Sequence, residues 1–383
     1  MILVESEGKT WRQQEDRGRA HRRGGPIMIG RRRLLAAVGL SFVGLAGWRW
    51  LPTSASATDA SRRSNDLIAV TCSRGRHLAI VDPEAGVVDL IEAGAAPHGL
   101  ALHPDGRAFV ATAEGIAVVD VQQRRRVALV PYSVDVGPPR FGEYRPGGMG
   151  IAVTPDGSRV AVGVYRSGGP STLDVVDAAR LAVVGSVTVG VRPFQVVAAH
   201  DSRHVYSVAH DSYTVTVVDL EAGTARPLAA MPLGRGAFDK PHYAALRGDG
   251  ALLLPYQGRA LQILDPVSGT ETTMPLSAQT HQHGVALTPD EGRLLIVGTG
   301  PAGGASGGPS LTILDLDTGA EEIVPLARPH EQVAVSRDGR RAFLTGGYLL
   351  TGGWDGLTVV DLETRATREV AVPDGPLDIA LLP

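Results

Sequence analysis

Short apolar runs alternate with tight polar turns from about residue 66 to the end of the chain. The clearest copy of this pattern is Pro97–Asp120, in which a Pro-Asp-Gly triplet at Pro104–Gly106 separates the first two apolar runs. Proline presets φ, the aspartate side chain bonds its own backbone, and glycine tolerates positive φ, so the triplet forms a tight turn. Runs of about four to six residues rich in Val, Ala, Ile and Leu have the length of strands and are too short for helices. The pattern therefore predicts three consecutive short strands in this stretch.

The same unit recurs seven times. An apolar pair followed by aspartate closes its third strand at Asp82, Asp120, Asp177, Asp219, Asp265, Asp315 and Asp361. A four-stranded repeat of roughly 40 to 50 residues is typical of a β-propeller blade. The first unit lacks its first strand, and residues 376–382 read as a first strand with nothing after it. The sequence therefore predicts an all-β, seven-bladed β-propeller of four-stranded blades, closed by pairing of residues 376–382 with Leu67–Thr71, which leaves no exposed edge at the seam.

Residues 1–57 depart from the pattern and predict an export leader. Three arginines, Arg31 to Arg33, precede an apolar stretch at residues 34–47, and small residues at 54–57 suit an export peptidase. The arrangement resembles a twin-arginine export signal. An uncleaved membrane anchor is the alternative, although the apolar run is shorter than the roughly 20 residues needed to span a bilayer. We expect a leader (1–57), a linker (58–65) and a propeller (66–383) that is periplasmic, cell-wall-bound or extracellular, without a membrane span after processing. The true start codon is either Met1 or Met28.

Charge and cysteine content narrow the choice of partners. The leader holds ten of the 37 basic and four of the 40 acidic residues. The remaining residues therefore include 27 basic and 36 acidic ones, a net charge of −9. A nucleic-acid-binding protein needs a basic face, so this balance argues against such a partner. Cys72 is the single cysteine and predicts a buried, inert thiol rather than a disulfide. We expect a monomer that binds a small molecule or a protein.

Three segments carry a resemblance to the YVTN-type propeller repeat: Gly150–Gly157, Ser310–Gly319 and Gly356–Thr364. That repeat consists of a small first strand, a Pro-Asp-Gly turn and a third strand that ends in aspartate. The resemblance implies the fold for the whole of residues 66–383. It does not select a function, because the same unit occurs in exported surface proteins, in lactonase-like propellers and in the haem-binding propeller of nitrite reductases.

The most informative positions for function are the blade-entry residues: six lie seven positions before the aspartate of a turn, and the seventh is the equivalent position in the C-terminal strand. They are His98, Met149, Phe194, His242, His283, Glu331 and Leu377. Entry strands are innermost in a propeller, so we expect these side chains to meet at the mouth of the central channel. His281 lies on the same side as His283 if the segment is extended. The imidazoles of His98, His242, His281 and His283 could bind Cu or Zn; alternatively, the histidines cap their strands and line the channel.

Loops on the same face add arginines and aromatic residues. We predict a ligand site formed by His98, Arg145, Arg192, His242, Tyr256, His283, Glu331 and Trp354. A concave mouth with these side chains suits a small anionic molecule, although any one loop arginine can simply be solvated. Two classes of function stay open. One is an exported propeller that binds a small ligand or a protein partner; the other is a metal-assisted enzyme, either a lactonase-like hydrolase or a copper oxidoreductase.

Overall fold

The computed structural model describes residues 66–230, 240–256, 258–280, 283–301, 308–347 and 353–383. Its elements in this part of the chain are 28 strands in seven four-stranded antiparallel sheets. This confirms the predicted all-β, seven-bladed propeller. Within the described ranges, no helix is long and apolar enough to cross a membrane. The predicted leader and linker, residues 1–65, lie outside these ranges, so export stays a prediction.

The blades follow one another along the chain. Blade 1 contains β1 (Ile68–Cys72), β2 (His77–Asp82) and β3 (Gly86–Glu92). Blade 2 contains β4 (Leu100–Leu102), β5 (Arg107–Ala111), β6 (Ile116–Asp120) and β7 (Arg125–Val130). Blade 3 contains β8 (Gly147–Val153), β9 (Arg159–Tyr165), β10 (Ser171–Asp177) and β11 (Ala182–Val189). Blade 4 contains β12 (Pro193–Ala198), β13 (His204–Ala209), β14 (Thr214–Asp219) and β15 (Thr224–Ala229). Blade 5 contains β16 (Ala245–Leu246), β17 (Leu252–Pro255), β18 (Ala260–Leu264) and β19 (Glu271–Pro275). Blade 6 contains β20 (Val285–Leu287), β21 (Arg293–Gly298), β22 (Ser310–Asp315) and β23 (Glu321–Pro325). Blade 7 contains β24 (Val333–Val335), β25 (Arg341–Thr345), β26 (Gly356–Asp361) and β27 (Thr367–Ala371), and β28 (Pro376–Leu381) then completes blade 1.

The seam of the ring is the pairing of β28 with β1. The two strands are antiparallel, and Val70 lies opposite Ile379. The N–H of Leu382 continues the ladder by donating to the carbonyl of Leu67 at 2.8 Å. Main-chain hydrogen bonds therefore join the two ends of the described chain, which confirms the closure predicted from the incomplete first unit.

Closing aspartates shape the turns between the third and fourth strands. The Oδ1 atom of Asp219 accepts the N–H groups of Glu221 and Ala222 at 3.0 and 2.9 Å. Gly223 then takes a φ of +64°, a conformation that glycine adopts without steric cost. This local chemistry explains why an Asp-x-x-x-Gly pattern marks the blades in the sequence.

Apolar side chains on both faces of each sheet pack against the neighbouring blades. Between blades 1 and 2, Ile80 and Val110 belong to one buried cluster. Between blades 1 and 7, Cys72 packs in the same way with Phe343. Cys72 is free and buried, and burial raises the pKa of its thiol to about 12, so the thiol stays protonated.

Glycine in three entry strands lets consecutive blades approach closely around the channel. The N–H of Gly99 donates to the carbonyl of Met149 in the next blade at 3.0 Å. A Cβ on Gly99 would lie 2.3 Å from that carbonyl oxygen, closer than real contacts allow. Gly150 and Gly284 face equally close atoms of blades 4 and 7. These glycines therefore allow the inner strands of neighbouring blades to approach closely.

The outermost strands of the seven blades differ in how their free edges are interrupted. In blades 1 to 3, each outer strand carries a β-bulge, at Val88, Val127 and Val184. In blades 4 to 6, the outer strands have no bulge and contain proline instead, at Pro227, Pro275 and Pro325. Bulges and prolines both disfavour pairing with a further strand.

Candidate functional site

The seven blade-entry residues are all buried, with at most 4% of the surface of each exposed. Beneath them the channel contains a cavity of about 210 Å³, lined among others by His98, Phe194, Tyr243, Gln332 and Asp378. Residues from blades 1, 2, 4, 5 and 7 thus meet at one place, as expected for innermost strands. We call this the channel mouth.

Phe194 is the centre of a ring cluster on one side of the channel mouth. Its ring stacks on the imidazole of His242 at 4.2 Å and 19°. The edges of His98 and Tyr144 lie 5.7 and 5.8 Å from it, and His210 lies at 5.3 Å. The cluster presents flat, largely apolar faces together with imidazole nitrogens.

Glu331 lies on the other side of the channel mouth and is held by two neighbouring blades. The hydroxyl of Tyr243, from blade 5, donates to its Oε1 at 3.1 Å. Nδ1 of His283, from blade 6, lies 3.3 Å from its Oε2. The carboxyl is 3% exposed. Three consecutive blades therefore fix its position.

A second carboxyl belongs to Glu143, in the loop of residues 131–146 between β7 and β8. Burial and the charge of Glu331 raise the pKa of Glu143 to about 8, although a hydrogen bond with Tyr144 and the charge of Arg192 act in the opposite direction. At neutral pH this carboxyl is mainly protonated. The loop thus brings this carboxyl within electrostatic reach of Glu331, a proximity that no sequence motif predicts.

Two histidines of the ring cluster, His98 and His210, are neutral at neutral pH because their pKa values are lowered. Burial, helped by the charge of Arg145, lowers the pKa of His98 to about 3. Burial also lowers the pKa of His210, despite the Asp211 carboxyl 2.6 Å from its Nδ1. These imidazoles therefore offer hydrogen-bonding nitrogens rather than positive charge.

The two predicted arginines have different environments. Arg192 is partly exposed: its guanidinium forms an ion pair with Asp211 at 2.9 Å and lies 4.3 Å above the ring of Tyr144. Arg145 is 3% exposed and donates to the carbonyls of Ala96 and Pro146 at 2.6 to 3.1 Å. Arg192 therefore borders the ring cluster, whereas Arg145 fastens the 131–146 loop to blade 2.

Tyr256 and Trp354 lie in separate places. Tyr256 is fully buried in the cluster between blades 4 and 5, and its hydroxyl donates to Gln262. Trp354 donates from Nε1 to the carbonyl of Pro329 at 2.9 Å and stacks under the guanidinium of Arg328 at 4.9 Å. Neither belongs to the ring cluster around Phe194.

The predicted metal ligands are not brought together in the described ranges. His98 and His242 both contact the ring of Phe194, and His283 contacts Glu331. Within these ranges, no group of three or more His, Cys, Asp or Glu side chains is arranged to hold a metal ion. His281 lies outside them, so the copper or zinc set of four histidines stays a prediction.

Comparisons with known proteins bear on the fold. No protein-family model and no curated protein matches the chain. Among solved structures, Kuenenia stuttgartiensis hydrazine synthase is similar at 18% identity, with a TM-score of 0.59 over 78% of this chain and 93% of that one. The periplasmic gluconolactonase of Pseudomonas aeruginosa is similar at 15% identity, with a TM-score of 0.59 over 83% and 99%. The dihydro-haem d1 dehydrogenase NirN is similar at 19% identity, with a TM-score of 0.53 over 83% and 76%. The chain is a propeller with a polar, partly enclosed channel mouth, and its resemblance to the YVTN type in particular stays a prediction.

Proposed function

We propose that this protein is an exported, monomeric propeller that binds a small polar ligand at the channel mouth. The observation that carries the proposal is Glu331, a buried carboxyl fixed by Tyr243 and His283. Its partner Tyr243 and its chain neighbour Gln332 line the cavity of about 210 Å³. A concave site with apolar ring faces and a few convergent polar groups is the usual form of a small-molecule site.

The charges at the channel mouth favour an uncharged, hydroxyl-bearing ligand there. The charge of Arg192 is offset by Asp211, and Arg145 is committed to backbone carbonyls. Glu331 accepts hydrogen bonds, and the protonated Glu143 can donate one. A polyol or sugar would match these groups and could pack one face on the ring of Phe194. A protein partner on the same loop face is the other binding proposal.

The test is calorimetric titration of the purified protein with a panel of neutral sugars, polyols and sugar lactones. We expect at least one member to bind and Glu331→Gln to weaken it about tenfold, since a charge-assisted hydrogen bond is lost. Glu363→Gln, which removes an exposed carboxyl from the turn after β26, is the matched control and should bind as wild type. Absence of binding across the panel, or an equal loss in the control, would refute the proposal.

A second candidate is a hydrolase, favoured by the raised pKa of the Glu143 carboxyl near a second buried carboxyl, Glu331. Glu143 holds a proton at neutral pH while Glu331 accepts hydrogen bonds, which is the division of work in acid–base catalysis. Such an enzyme needs the proton on Glu143, so the kcat/KM for lactone hydrolysis should fall as pH rises through about 8. Glu143→Gln should abolish that dependence together with most of the rate. A rate that is flat from about pH 6 to about pH 9 would count against this candidate. The metal-assisted form, with Cu or Zn, stays an alternative.

A further inference from the structure

A second cavity, of about 220 Å³, opens on the loop face beside the channel mouth. It lies between the 131–146 loop and the turn that follows β9. We call it the loop cleft. Its polar lining comes from Asp135, Arg140, Arg166 and Ser167.

Two guanidinium groups in the loop cleft have no carboxylate partner among the described residues. Arg140 is exposed and forms no ion pair with any residue of the described ranges, and Arg166 donates from Nε to the carbonyl of Pro170 at 3.3 Å. The opposing charge is that of Asp135, whose Oδ1 accepts the N–H of Gly137 at 2.8 Å and so closes its own turn. The cleft therefore carries two positive charges against one negative charge.

This excess of positive charge is local. After removal of the leader, acidic residues outnumber basic ones by 36 to 27, so the protein as a whole repels anions. Attraction of an anion must then come from particular side chains. The arginines of the channel mouth do not supply it, because Arg192 is paired with Asp211 and Arg145 is buried against carbonyls.

We infer that the loop cleft is a binding site for an oxyanion, the carboxylate or phosphate group of a small molecule. A guanidinium presents a planar fork of donors that matches two oxygens of one such group. Two forks on opposite walls, with the Ser167 hydroxyl beside them, suit a group with three or more acceptor positions. Tyr165, next to Arg166, lies 5.3 Å from the guanidinium of Arg192, so the cleft adjoins the channel mouth. The inference stands whether or not a ligand binds at the channel mouth.

The test uses ligand-observed NMR with inorganic phosphate and with acetate, each at constant ionic strength set by chloride. We expect wild-type protein to bind at least one of the two, and which one binds tells a phosphate site from a carboxylate site. The double variant Arg140→Gln/Arg166→Gln should weaken binding at least about tenfold, since two charge-assisted contacts are lost. Asp135→Asn should strengthen it about two- to threefold, because a repelling carboxylate is removed.

Two controls make the outcome specific. Arg125→Gln removes one positive charge from an exposed position on β7 and should leave anion binding unchanged. Glu331→Gln should also leave it unchanged, so failure of the channel-mouth proposal and failure of this one are distinguishable. The inference is overturned if neither anion binds or if the double variant binds the anion as tightly as wild type. It is also overturned if Arg125→Gln weakens anion binding as much as the double variant does.

Discussion

Asp378 allows a test of how the seam strand is held against the next blade. Its Oδ2 accepts the N–H of Leu100 in blade 2 at 2.7 Å, and its Oδ1 accepts the N–H of Ile379 at 2.9 Å. Its own N–H donates to Thr71 at 2.9 Å. Burial nevertheless raises the pKa of this carboxyl from its ordinary value near 4 to about 6. Folding therefore favours the protonated form.

The sign of the effect on stability follows from that direction. Below about pH 4 the carboxyl is protonated in both the folded and the unfolded state, and its contribution to the free energy of unfolding is fully present. As pH rises through about 6, the folded state must ionise a buried group, so the free energy of unfolding falls. A difference of two pH units between folded and unfolded pKa values corresponds to roughly 3 kcal/mol. Asp378 lines the channel cavity and stays partly accessible, so solvent screening reduces the expected loss to about 1 to 2 kcal/mol.

Asp378→Asn should abolish this dependence while it keeps an acceptor for Leu100. Relative to wild type, the free energy of unfolding of the variant should rise by about 1 to 2 kcal/mol between about pH 4 and pH 7, as measured by urea denaturation. Asp219→Asn is the control: the ion pair with Arg203 lowers the pKa of Asp219, so its contribution to stability is lost only as pH falls below about 4 and its difference from wild type should stay nearly constant between about pH 4 and pH 7. A difference between variant and wild type that is constant with pH, or that moves in favour of wild type, would refute the reasoning.

Three further predictions concern the seam, the channel and export. Deletion of residues 375–383 removes β28 and should cost several kcal/mol, visible as a large fall in melting temperature; a change of a degree or two would contradict the seam. Gly99→Ala should cost about 1 to 3 kcal/mol through overpacking against the next blade, whereas Gly185→Ala, whose nearest neighbour lies 3.9 Å away, should be nearly neutral in the same denaturation assay. Replacing Arg31 and Arg32 by lysine should hold the precursor in the cytoplasm, as a fractionation blot would show, because a receptor reads the pair; normal processing would exclude a twin-arginine signal.

The fold could be predicted because its information is local and repeated. Five of the seven closing aspartates, Asp219 among them, accept the N–H groups two and three positions ahead, so the turn is encoded in five consecutive residues. The seam could be predicted by counting strands. The first unit lacks its first strand, and residues 376–382 form a first strand that no unit follows, so the two together make one complete blade. The burial of the entry residues followed from the geometry of innermost strands.

The site could be predicted less well because it depends on irregular loops. Glu143 lies in a loop with no pattern, and the charge that helps to raise its pKa belongs to Glu331, 188 positions further along the chain, so nothing near it in sequence indicates the interaction. Arg145 was predicted in the ligand site, but its guanidinium donates to the carbonyl of Ala96, 49 positions earlier in the chain, a contact that no local sequence pattern indicates. Tyr256 was expected in a loop; a bridge to Pro241 extends the strand pairing to it and turns its side chain into the core.

The interrupted outer strands limit how this ring can grow into larger assemblies. The outer strands of four blades are interrupted by bulges at Val88, Val127 and Val184 and by Pro227, which has no N–H to donate. These blades therefore offer no continuous row of hydrogen-bonding groups with which a strand of another chain could pair. Pairing of a further strand is therefore disfavoured at blades 1 to 6, whereas the outer strand of blade 7, β27, has neither a bulge nor a proline. A tether or fusion partner attached at the circumference should leave the ring intact. Partners recognised by shape and charge are then expected to bind at the two faces of the propeller.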